Sequence, residues 1–310
     1  EVFPEPLDLN NFLDDLDLIR GVACDAGAGI CLDDADATAW MLHPYVSAGI
    51  GRIAIWKSTV NPPANSCLNS DEWWILNPEP ALPEEGRNGS TTPAPAGAFS
   101  DLWTLWDDVE YPDAGVVWAN EAVVMGYRGF PSATDSNGDG FKEIVMKGGL
   151  TVYAGSSADS KNITINADIL LSNETGFTDV LGLAASESIA INPYAISTVD
   201  RELETWVAWL GQSPNSNFTS RACGRNSGNG VTPPNSVLDF HGSRASRTTS
   251  AMSGSALFSV RNYQFDDRLA FLRPPFWPLL VDQWRYEDWQ EDPLPPWGRI
   301  EGVVTTTTIP

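Results

Sequence analysis

Lysine, histidine and long apolar runs are all scarce in this sequence, and each scarcity removes a class of function. The chain has four lysines, Lys57, Lys142, Lys147 and Lys161, and 18 basic against 41 acidic side chains, a formal charge of -23. Such a balance repels phosphate backbones and anionic headgroups, which argues against nucleic acid as a partner, and no polybasic segment exists to steer the chain to a membrane. No run of about 18 apolar residues occurs, so no membrane span is expected. The start, Glu1-Val2-Phe3-Pro4, lacks the basic and apolar blocks of a signal peptide and reads as already processed. His43 and His241 stand far in sequence from the cysteines, and there is no Cys-X-X-Cys pair, which argues against zinc. No Gly-X-Ser-X-Gly elbow surrounds a serine, so a Ser-His-Asp hydrolase is not expected.

What is present fits an extracellular or cell-surface protein. Hydrophobic residues make up 42% of the 310, enough for one large core or two smaller ones. The four cysteines, Cys24, Cys31, Cys67 and Cys223, read as disulfides, with buried free thiols as the other reading. Proximity favours Cys24 with Cys31, leaving Cys67 with Cys223, although four cysteines permit three connectivities. Four Asn-X-Ser/Thr sequons, at Asn88, Asn162, Asn173 and Asn217, are candidate glycosylation sites on a secreted surface.

Residues 1–76 read as an α+β cap. Leu9, Phe12, Leu13, Leu16 and Ile19 fall at helical spacing over 8–20, Asp33 to Tyr45 reads as a second helix, and Ile50 to Trp56 alternates like a strand. Residues 77–100 carry too much Pro and Gly for regular structure and read as a loop or linker. From 101 to 280 short β-prone runs recur at about twenty-residue intervals: Val116–Met125, Ile144–Ala154, Ile163–Leu171, Val180–Ile191, Val237–Phe240 and Ala256–Val260. In Ile163–Leu171 alternate positions are apolar, the period of a sheet with one wet face. Tight Asn-Gly or Asp-Gly turns between neighbouring runs are scarce, so a mainly β fold with a parallel β-helix body is favoured over a β-sandwich. The interval 200–211 reads equally well as helix or strand. Arg273–Pro278 reads as a stiff extended clamp along the body, and 281–310 as an extended Pro/Trp-rich segment whose end, Val303–Ile309, is a β-prone strip.

The sharpest motif is Asp135-Ser-Asn137-Gly-Asp139-Gly-Phe141-Lys-Glu143. Oxygen side chains at positions 1, 3, 5 and 9, the carbonyl of Phe141 at 7 and glycine at 6 suit a hard cation, since alternate residues of a tight turn converge on one point. The acid that an EF-hand carries at position 12 is replaced by Met146. The loop resembles the calcium loops of extracellular repeat proteins such as integrin-type propellers, and Ca2+ is the expected ion, in a stabilising role. Clustered acids at Asp107/Asp108/Glu110, Asp200/Glu202/Glu204 and Asp266/Asp267 leave a secreted carbohydrate-active enzyme as the alternative, though a chain this acidic contains such clusters anyway. The thirteen tryptophans read as core residues ahead of sugar platforms.

Two stretches resemble known surface proteins. Ile50-Gly-Arg-Ile-Ala-Ile-Trp-Lys57 followed by Pro62-Pro63-Ala-Asn-Ser-Cys67-Leu68 resembles the ectodomain of TadE-like minor pilins of actinobacteria. Gly149–Val152, Asn162–Asp168, Gly182–Ile191 and Asn262–Leu269 with Pro274-Pro275 resemble actinobacterial pilus-associated surface proteins with a β-helical body. The resemblance spans roughly 45–70 and 116–280. It implies a non-enzymatic structural or adhesive subunit of a bacterial extracellular filament or pilus. Its partners would be copies of itself or other filament subunits, with surface glycans as further candidates, and the third option is a monomeric calcium-stabilised adhesin. The hydrophobic anchoring helix with which such pilins start is missing here, so it was removed or assembly differs.

Overall fold

Four of the six β-prone runs of the sequence are each two strands and a corner, while Val237–Phe240 falls within one strand. Val116–Met125 divides into β5 (Val116–Ala119) and β6 (Val123–Met125), and Ile144–Ala154 into β7 (Ile144–Met146) and β8 (Gly149–Ala154). Ile163–Leu171 divides into β9 (Ile163–Ile165) and β10 (Ile169–Leu171), and Val180–Ile191 into β11 (Val180–Ala185) and β12 (Ile189–Ile191). The β7–β8 corner is made by Lys147 and Gly148, whose φ of 95° is open to glycine at little cost. The computed structural model describes residues 17–61, 73–74, 78–80, 97–131, 133–192, 195–196, 199–211, 235–246 and 258–277.

The remaining strands are β1 (Ile30–Leu32), β2 (Ala39–Ser47), β3 (Ile50–Ser58), β4 (Thr104–Glu110), β13 (Glu202–Gly211), β14 (Val237–Ser246) and β15 (Val260–Gln264). The protein is mainly β, and its parallel pairing is extensive. A nine-stranded sheet holds two parallel ladders, β1-β5-β8-β11-β13-β14 and β7-β10-β13-β14-β15, joined because β13 and β14 are long enough to serve both. A six-stranded sheet holds a third, β2-β6-β9-β12, with β3 and β4 added antiparallel beyond β2. From β5 to β12 the chain visits the first, third-named and second-named ladders in a fixed rotation: β5, β6, β7, then β8, β9, β10. Register runs through Val116, Thr151, Gly182, Ala208 and Ser243, offsets of 35, 31, 26 and 35 residues. The twenty-residue spacing of the sequence is therefore the spacing of strand pairs, and a full return takes longer. Parallel ladders replace the antiparallel pairing on which a β-sandwich would depend.

Two readings of the N-terminal region change. Asp33 to Tyr45 is not a helix: its second half is β2, with the first seven positions buried. A strand buried on both faces shows no alternation, and periodicity alone cannot separate it from a buried helix. Pro44 is tolerated because Trp40 N–H and Leu42 C=O face β6, so the missing N–H of Pro44 points the same way, past the end of β6. Residues 17–20 are helical and continue as a π-turn over Gly21–Asp25, while 8–16 lie outside the described residues. Of the interval 200–211, residues 202–211 are strand.

All three ladders contribute to one apolar cluster, including Val117, Val123, Ile144, Leu150, Ile163, Ile169, Leu183, Ile189 and Trp209. A second cluster lies across the six-stranded sheet and is aromatic: Tyr45, Trp56, Trp73, Trp74, Trp103 and Phe130. Trp40, Trp118 and Trp209 are buried as well, so most described tryptophans are core, with Trp106 exposed on β4. The expected clamp packs on the first ladder. Thr151 Oγ1 donates to the Pro275 carbonyl at 2.6 Å and Tyr153 Oη to that of Phe276. A Cβ on Gly182 would stand 2.5 Å from the Trp277 ring, and one on Gly115 2.6 Å from Pro275. Glycine at these positions is what lets the segment lie flat on the strands.

Candidate metal centre

The corner between β9 and β10 is three residues long, Asn166-Ala167-Asp168. In the preceding passage the same corner, between β6 and β7, is opened by an insertion that contains 135–143; in the following one, between β12 and β13, it is opened again and contains Asp200. The calcium-type loop thus sits beside a bare turn that presents one carboxylate.

Within the loop the acids turn inward. Glu143 Oε1 accepts from Ser136 N at 2.7 Å, Asn137 Oδ1 from Asp139 N at 3.2 Å, and Asp139 Oδ1 from Phe141 N at 2.7 Å. Gly138 and Gly140 take φ of 74° and 91°, the left-handed values that let the chain fold back within two residues. Phe141 is buried with the Arg128 guanidinium over its ring, which fastens the loop to the body. Asp139 and Glu143 are 5% and 2% exposed. Two carboxylate oxygens, Asp135 Oδ1 and Glu143 Oε2, are buried without a hydrogen-bond partner, while Asp135 Oδ2 meets Lys142 Nζ at 3.5 Å. Among the described residues no three His, Cys, Asp or Glu side chains converge in ligating geometry. The donor set of carboxylates, one amide and one carbonyl still fits Ca2+, which binds oxygen, and the two orphaned oxygens are what a cation would satisfy.

Acids from neighbouring passages face the loop. Asn137 Nδ2 donates to Asp200 Oδ2 at 2.5 Å. Burial pushes the Asp168 carboxyl well up, and the charges of Asp200, Asp139 and Glu143 push it the same way, against a hydrogen bond from Glu204 N to its Oδ1. Ile144 pairs with Ile169 and Ile169 with Thr205, so the residues one step earlier, Glu143, Asp168 and Glu204, stack on successive strands; Glu204 pairs in turn with Asp239. Desolvation, then Asp239, Glu204 and Asp200, raises the Glu202 carboxyl, and desolvation raises that of Asp200. Asp168 was not among the site candidates of the sequence, because it joins the loop only through strand register.

The other sequence candidates separate. Cys24 and Cys31 form a disulfide, whereas Cys67 and Cys223 lie outside the described residues. Asn162 is 4% exposed and its Oδ1 accepts from Ser188 N; Asn173 is exposed, and Asn88 and Asn217 lie outside the described residues. Asp108 is held by Tyr45 and Arg52, and Asp266 grips Arg268 through two oxygens, so these acids serve the fold. Glu79, from the stretch read as a linker, is buried: its Oε1 accepts from Arg128 Nε at 2.7 Å and Asn166 Nδ2 at 2.6 Å. The strip 303–309 lies outside the described residues.

No protein-family model matches the chain, and neither the curated proteins nor the solved structures contain a match. No helix among the described residues is long and apolar enough to cross a membrane.

Proposed function

We propose that this chain is a non-enzymatic structural or adhesive subunit of a bacterial extracellular filament, its three ladders wound as a parallel β-helix and its 135–143 loop stabilised by Ca2+. The observation that carries the reading is the edge at β15. Among the described residues β15 pairs with β14 alone, and four of its five residues, Val260 and Tyr263 included, are exposed. A parallel edge left open can accept a strand from a second copy, and the β-prone strip Val303–Ile309 is the candidate donor. A disulfide close to the N-terminal turn accords with an oxidising compartment.

Electron microscopy of the purified chain tests this directly. Filaments are expected, and deletion of 298–310 is expected to abolish or shorten them. A truncated chain that assembles like the full one overturns the donated-strand version, and a strictly monomeric full chain overturns the filament reading.

The acid corner favours one second reading, a carbohydrate-active enzyme, because carboxyls held toward the protonated form can act as general acids. Turnover on a polysaccharide panel that is lost in Asp200→Ala or Glu202→Ala would establish it in place of the scaffold.

A further inference from the structure

The orphaned oxygens and the stacked acids belong to one place in the fold, and their combination says more than either does. Glu143 is almost wholly buried, its Oε1 is occupied by the amide of Ser136, and its Oε2 has no partner. The loop's own amides consume the oxygens of Asn137 and Asp139 that a cation would otherwise receive. The strand register then brings Asp168 next to Glu143, and Asn137 holds Asp200 at hydrogen-bond distance. Four carboxylates close enough to repel one another, Asp139 and Glu143 buried and Asp168 and Asp200 half-buried, are costly together unless a cation offsets them. A calcium ion takes six to eight oxygens, more than the five positions of the loop supply, and Asp168 and Asp200 are the adjacent donors.

We propose that Asp168 and Asp200 complete the cation site of the 135–143 loop, so that one Ca2+ ties together three successive passages of the chain. The site would hold Glu143 from the passage that ends in β7, Asp168 from the one that ends in β10 and Asp200 from the one that enters β13. This rests on the calcium reading of the loop given above. The ion is then a staple between ladder steps, where the loop alone would make it a pin within one step.

The test uses the full chain, stripped with chelator, with CaCl2 added in a calorimetric titration and in thermal melts. Wild type is expected to bind one Ca2+ per chain and to melt higher with it. Asp168→Asn and Asp200→Asn should each weaken binding by at least about tenfold, the usual cost of losing a supporting carboxylate. Glu110→Gln, on the far β4 edge, should leave affinity unchanged. Asp168→Asn has a second signature: it keeps the Oδ1 that accepts from Glu204 N and removes a repelling charge, so its metal-free melting temperature should rise while its gain from calcium shrinks. If wild type binds and both variants bind within about twofold of it, the ion is confined to the loop; the staple is overturned and the loop reading stands. If wild type takes up no calcium, both fall. Asp200, on a more open segment than Asp168, keeps the test decisive if the Asp168 variant fails to fold.

Discussion

Asn166 and Asp168 lie two residues apart on one tight corner, and the ladders they join solve the same problem in opposite ways. Both positions recur on neighbouring strands, where stacking brings like side chains close. On the Asn166 side the stack is neutral and closed. Asn192 Nδ2 donates to Asn166 Oδ1 at 2.6 Å, Asn166 Nδ2 donates to Glu79 Oε1 and to the Gly126 carbonyl, and Arg128 neutralises Glu79. Amides stack well because each offers a donor and an acceptor, so every step satisfies the next. On the Asp168 side the stack runs Glu143, Asp168, Glu204, Asp239, all acceptors when ionised, and the Asp168 carboxyl is driven toward its protonated form. One column is complete within the protein. The other keeps at its centre a carboxyl that burial and neighbouring acids hold toward the protonated form.

Converting the closed column into the open type should have the largest effect. Asn166→Asp removes the donor to Glu79 and sets a second buried charge beside it, with an expected loss of about 3–5 kcal/mol in chemical denaturation. Asn192→Ala leaves Asn166 Oδ1 without its partner and should cost about 1–3 kcal/mol by the same measurement. Converting the open column toward the closed type should act with the opposite sign. Asp168→Asn is expected to stabilise the metal-free protein at neutral pH by on the order of 1–2 kcal/mol. A folded carboxyl raised above its unfolded value of 3.8 binds protons more readily in the folded state, so its contribution to stability declines as pH rises through the folded pKa. The advantage of the variant should therefore shrink as pH falls toward 4, which denaturation curves at several pH values will show. Glu204→Gln keeps the Oε1 that accepts from Trp206 Nε1 at 2.8 Å and is expected to shift stability by only a few tenths of a kcal/mol, because Glu202 beside it is exposed and screened. His43 supplies an independent check. Burial lowers its imidazole from 6.5 to about 3, so stability is full above pH 6.5 and declines as pH falls toward 3, at up to about 1.4 kcal/mol per pH unit.

The columns were only partly legible in the sequence, for reasons that particular residues make plain. Ile163–Leu171 alternates so regularly that it reads as one strand with a wet face, yet Thr164 and Asn166 are 2% and 0% exposed and the run turns at Asn166–Asp168. Alternation reports period, and it does not report whether the second face is covered. The clamp at 273–277 was legible because proline fixes its backbone, whatever it packs on. The 135–143 motif was legible because its oxygens are local. Asp168 and Glu79 were not, since their partners Glu143 and Arg128 stand 25 and 49 residues away and are supplied by register and packing. Pro44 in β2 shows the converse: a residue that reads as a strand breaker is harmless once the neighbouring strand has already ended.

The clamp also sets an order of events in folding. Its bonds to Thr151 and Tyr153 span 124 and 123 residues, and it covers glycines as early as Gly115. During synthesis the outer face of the first ladder stays bare while β8, β11, β13, β14 and β15 are made, because the residues that cover it emerge after them. Contacts of such long sequence separation form late and slowly. A face begun at β5 is covered by residues that follow β15, and a nascent or truncated chain that stops before residue 273 would expose its glycine-lined strands to any neighbour able to lie flat on them.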